Sequence, residues 1–63
     1  MSHFLEIFSG IYPDDVLWIE SVEGLAAASE RMKAIATKAP GPYFVFDART
    51  RKVLDSIDTT LAD

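Results

Sequence analysis

The chain has 63 residues, ten acids against six bases for a formal charge of −4, and no cysteine. That length allows one small domain and excludes a second, and a domain this small buries only about 60% of the surface its unfolded chain exposes. Disulfides are excluded, a structural zinc site would have to be built around the lone His3, and the acidic balance argues against a protein whose main work is neutralising nucleic-acid phosphates or coating an anionic membrane. Good packing or a partner chain is left to supply the missing stability.

Residues 3–9 (His-Phe-Leu-Glu-Ile-Phe-Ser) are short, aromatic and β-branched, and they run into Gly10 and a proline-led turn at Pro13-Asp14-Asp15. They predict a first strand. Residues 16–22 (Val-Leu-Trp-Ile-Glu-Ser-Val) have the same character and predict its antiparallel hairpin partner. After Glu23-Gly24 the period changes, with Leu25, Ala28, Met32, Ile35, Ala36 and Ala39 recurring at spacings of three and four while Glu30, Arg31, Lys33 and Lys38 lie off that stripe. This is an amphipathic helix, with Glu23 near the positive end of its dipole, Lys38 near the negative end, and Pro40-Gly41-Pro42 to stop it.

Residues 43–47 (Tyr-Phe-Val-Phe-Asp) and 52–57 (Lys-Val-Leu-Asp-Ser-Ile) predict two further strands around a polar loop, and residues 58–63 read as a loose tail. The expected fold is therefore α+β: a single domain over 1–63 with one four-stranded, mainly antiparallel sheet and one helix on one face, in β-β-α-β-β order. Strand order stays open between 1-2-3-4, with strands two and three parallel, and 2-1-3-4, with all neighbours antiparallel. Residues 1–10 carry no basic cluster leading into a long apolar run, and no stretch approaches the roughly 18 apolar residues of a membrane span. The absence of cysteine agrees with a reducing compartment, and the expected location is cytoplasmic.

The runs Trp18-Ile19-Glu20-Ser21-Val22-Glu23-Gly24-Leu25, Ser29-Glu30-Arg31-Met32 and Ala39-Pro40-Gly41-Pro42-Tyr43-Phe44-Val45-Phe46 resemble a group of short uncharacterised bacterial proteins over about residues 16–46. The resemblance implies a bacterial source and the order of segments, and no activity. More loosely, the layout is similar to other small β-β-α-β-β domains, antitoxin-like ones among them.

Side chains alternate across a strand, so each strand divides into two sets. Leu5, Ile7, Leu17, Ile19, Phe44, Phe46 and Leu54 have no acid among them and are assigned to the face beneath the helix. The opposite set holds Phe4, Glu6 and Phe8, then Val16, Trp18, Glu20 and Val22, then Tyr43, Val45 and Asp47, then Val53, Asp55 and Ile57. A helix of about 15 residues is roughly 22 Å long and covers one face only, so the second set meets water or a partner. So much apolar surface points to a partner, most simply a second copy packing face to face, with Phe4, Phe8, Trp18, Tyr43 and Val45 as apolar anchors and Glu6, Glu20 and Asp55 setting specificity. The competing expectation is a monomer whose open face bends round on itself or is covered by the C-terminal segment.

Catalytic signals are weak. Glu6 and Glu20 fall on one face of adjacent strands, the spacing that acid and base chemistry on glycosides would use, but acids on a strand face are ordinarily solubilising. Asp14-Asp15 read as turn formers, His3 as an inert surface residue, and neither Ser9-Gly10 nor the Pro40-Gly41-Pro42 turn has the spacing of a phosphate cradle. No catalytic residue, metal ligand or cofactor site is assigned, and the chain is read as a non-enzymatic interaction or assembly module. Arg49, Arg51 and Lys52 concentrate half the basic residues in one loop, a possible anion site that carries the alternative reading of a small regulatory nucleic-acid-binding or antitoxin-like protein. Against it, the aromatic face carries acids where a single-strand platform would carry lysine and arginine.

Overall fold

The computed structural model describes residues 3–61. The elements are β1 (Phe4–Ile11), β2 (Asp14–Glu23), α1 (Leu25–Lys38), β3 (Pro42–Asp47), β4 (Lys52–Asp58) and a 3-10 turn (Thr59–Leu61). The four strands form one sheet in the order β2-β1-β3-β4 with every neighbouring pair antiparallel, an α+β fold. Of the two strand orders open from the sequence, this one sets β3 beside β1, and α1 carries the chain across the sheet between β2 and β3.

Helix α1 lays Ala28, Met32 and Ala36, one turn apart, against the sheet, all fully buried. Leu5, Ile7, Tyr43 and Val45 meet them from below, with Ile19, Val22, Ile35 and Ile57 around the rim. Each fully buried aliphatic side chain of this kind contributes about 1.5–3 kcal/mol by leaving water. Leu25, expected in this core, opens the helix and stays exposed. Gly24 takes a positive φ of 88° at the N-cap, where its N–H donates to the His3 carbonyl at 3.1 Å and its carbonyl accepts the Ala28 N–H at 3.0 Å.

The segment after β4 is tied down, contrary to the expected tail from residue 58. Asp58 closes β4, and the Thr59 hydroxyl accepts the Gly41 N–H at 3.0 Å and donates to the Ala36 carbonyl at 3.1 Å. These bonds serve two backbone groups that the end of the helix would otherwise leave open. Residues 62 and 63 lie outside the described residues.

Cross-strand partners project to the same side of a sheet, so the register decides the faces. Ile7 pairs with Val45 and Ser9 with Tyr43, which sends Tyr43 and Val45 under the helix and Phe44 and Phe46 to the other side with Phe8 and Glu6. The expected assignment of β3 is thus reversed. In β2, Ile7 pairs with Glu20 but Phe8 with Trp18, so Ile19 is an extra residue, and this bulge flips the alternation. Glu20 and Val22 consequently face the helix while Trp18 faces away. A second bulge, at Leu54, sends Asp55 and Ile57 under the helix and Val53 to the open side. Leu54 itself is exposed, and so is Leu17, which shares the helix side with Tyr43 through its pairing with Ser9.

Candidate interaction face

Two transverse rows of partnered residues make up most of the open face. One runs Trp18, Phe8, Phe44, Ser56 across the strands from β2 to β4, and the next runs Ser21, Glu6, Phe46, Val53. Phe4 and Glu23 pair beyond the second row. The Phe8 ring stacks on Phe44 at 5.2 Å between centroids and stands edge-on to Phe46 at 6.1 Å.

Tyr12, from the β1–β2 turn, is brought over the same face. Its ring stands edge-on to Phe44 at 5.7 Å and stacks on Phe46 at 5.6 Å. Gly10 permits this bend: it takes φ 111°, and a Cβ there would sit 2.3 Å from the Asp15 carbonyl oxygen, so only glycine fits. Phe44 is almost fully buried by its ring neighbours, although it lies opposite the helix. Three other rings of the face stay wet on their outer sides: Phe4 is 60% exposed, Trp18 54% and Tyr12 50%. Between Tyr12 and β4 lies an open groove of about 420 Å³, lined by Phe44, Val53, Ser56 and Ile57 among others.

Glu6, in the middle of the second row, is held by two neutral donors. The Trp18 indole Nε1–H donates to its Oε1 at 2.6 Å and the Ser21 hydroxyl to the same oxygen at 2.8 Å. The indole is thereby fixed across the strand pair, and one carboxylate oxygen is oriented.

Four of the expected anchor and specificity residues belong to the other face. Tyr43 and Val45 are core residues, and the Tyr43 hydroxyl donates to the Ala39 carbonyl at the end of α1. Glu20 accepts from the Arg31 guanidinium, with Nε at 2.8 Å, and Asp55 accepts from the Ser29 hydroxyl at 2.6 Å. Each of these acids tethers α1 to an edge strand. The register therefore sets Glu6 and Glu20 on opposite sides of the sheet, which removes them as a carboxylate pair.

His3 and Asp47 are also engaged. The imidazole Nε2 lies 3.2 Å from Asp47 Oδ2, and the Arg49 N–H donates to Oδ1 at 2.9 Å. Burial of Asp47 pushes its carboxyl up, but the Arg49 N–H, the hydrogen bond and charge of His3, and the Thr50 hydroxyl together hold it below its ordinary value of 3.8. The pair pins the start of β1 to the β3–β4 turn. Arg49, Arg51 and Lys52 are exposed in and beside that turn, at the Phe4 and Glu23 end of the sheet, and make no ion pair among the described residues. Arg51 closes the turn at φ 59°.

Sequence reasoning thus located Phe4, Glu6, Phe8, Trp18 and Val53 on the open face and missed Tyr12, Ser21, Phe44 and Phe46. A glycine inside a strand-like run is the one signal that pointed toward the Tyr12 bend. Among the described residues no group of three or more His, Cys, Asp or Glu side chains could hold a metal ion, and no helix is long and apolar enough to cross a membrane. Comparison with protein-family models, with curated proteins and with solved structures finds no match to this chain, so the functional reading rests on the face itself.

Proposed function

We propose that this protein is a non-catalytic, cytoplasmic interaction module that works as a homodimer through the open face of its sheet. The observation that carries the reading is the set of three half-exposed rings, Phe4, Tyr12 and Trp18, around a ring cluster that α1 does not reach. Clustered apolar surface of this kind marks an interaction site, and rigid rings lose little conformational freedom when they dock.

A nucleic acid fits the same face poorly, because its charged members, Glu6, Glu23 and Asp58, are acids that repel phosphate. The test is sedimentation of the wild type and of Trp18→Glu over a concentration series. The expected result is a wild-type dimer at tens of micromolar and a folded monomer for the variant. A wild type that stays monomeric at ten times that concentration overturns the proposal.

A further inference from the structure

Separately from self-association, we infer that the hairpin end of the open face is a ligand site: the groove between Tyr12 and β4 takes a protonated amine carried on an aryl group. Its shape comes from the chain. Gly10 bends the β1–β2 turn back over the sheet, so Ile11 and Tyr12 make a wall that stands over Phe44. Opposite them β4 offers Val53 and then Ser56, the small side chain that pairs with Phe44 and keeps the floor low. The space left is about 420 Å³, within the range of small-molecule sites. Ser56 and Asp58 follow each other on the open side of β4, and both line the groove. Mostly apolar walls with a few convergent polar groups are what such a site needs.

Charge selects the ligand. Asp58 accepts from the Thr60 N–H at 3.0 Å and from the Thr60 hydroxyl, both at Oδ1, and makes no ion pair among the described residues. None of the six bases lines the groove: Arg31, Lys33 and Lys38 are on α1, across the sheet, while Arg49, Arg51 and Lys52 sit at the far end, where Asp47 pairs with Lys52. The strand that follows Tyr12 adds Asp14 and Asp15 at the near end. An anion is repelled here, and a neutral molecule that dries Asp58 leaves its carboxylate unpaired, whereas a cation pairs with it. The walls then select what carries the charge, because an aryl group gains ring contacts with Tyr12 and Phe44 that an alkyl chain does not.

The probe is phenethylammonium, titrated by ligand-observed NMR onto the full chain at a dilution where sedimentation shows a monomer. A Kd of about 1 mM is expected, with 2-phenylethanol, the same body without the charge, at least about fivefold weaker. Asp58→Asn keeps an oxygen for the Thr60 donors and is expected to erase that difference. Ser56→Leu, at an exposed position, is expected to fill the groove and abolish binding of both compounds. Amide spectra check that the two variants stay folded. Arginine blocked at both ends, standing for a side chain of another protein, is expected to bind at least about threefold weaker, since it brings no ring. No binding of phenethylammonium at ten times the expected Kd, equal binding of 2-phenylethanol, or binding untouched by either substitution overturns the site. Blocked arginine binding as tightly as phenethylammonium overturns the ligand class. None of these outcomes bears on the sedimentation of the dimer, so the two proposals fail separately.

Discussion

Beneath α1 the sheet presents Leu5, Ile7 and Val45, branched aliphatic side chains dried by a separate layer; on its open side it presents Phe8, Phe44 and Phe46, flat rings laid against one another. Aliphatic side chains gain from close packing on all sides and need the helix to supply the missing half. Rings can cover each other, and with Tyr12 folded over them they bury Phe44 without a second layer of structure. What self-covering cannot do is dry the outer surfaces, which is why Phe4 and Trp18 remain half in water. The acids differ in the same way: those on the helix side bind α1, whereas Glu6 on the open side fixes an exposed indole.

The sharpest way to break this contrast is to truncate one residue on each side. Ile7→Ala, leaving a cavity under the helix, is expected to cost about 3–4 kcal/mol, whereas Phe4→Ala on the open side costs under about 1 kcal/mol in dilute protein. Urea unfolding of both variants below the dimerisation range checks this, and equal losses would show that the open face is as much a core as the covered one. Gly10→Ala tests whether the Tyr12 cover depends on the bend: strain at φ 111° and the clash with Asp15 should cost about 2–3 kcal/mol. The NMR ring-current shifts of Tyr12, Phe44 and Phe46 should shrink with it, and their retention would place the origin of the cover elsewhere.

The smallest effect belongs to Asp47, which joins neither apolar set. A carboxyl held below 3.8 contributes stability that is fully present above that pH and is lost as pH falls through the depressed value. Thermal melts should therefore show wild type above Asp47→Asn by a constant margin near neutrality. That margin should close as pH falls below 3.8 and the carboxyl takes up its proton, and one that persists in the protonated range would assign the residue a role unrelated to its charge.

The element order, the helix, and the division of β1 into Leu5 and Ile7 against Phe4, Glu6 and Phe8 were all legible in the chain. The phase of β3 was not, because Tyr43 and Val45 are as apolar as Phe44 and Phe46, and only the pairing with β1 chooses between them. Nor were the bulges, since Ile19 and Leu54 continue apolar runs and an unpaired backbone residue leaves no mark on composition. Those two insertions account for the misplacing of Glu20 and Asp55. Trp18 was placed correctly because Leu17 and Trp18, paired with Ser9 and Phe8, lie between the two register shifts of the β1–β2 pair and keep the expected phase.

The register shifts fall in the pairings of β2 and β4, the outer strands, where a flat and regular rim would offer a template for another chain to add itself, and another after that. An interrupted rim bends away from such addition. Extra residues at its margins thus work against edge-to-edge growth of a chain whose mean hydropathy is positive.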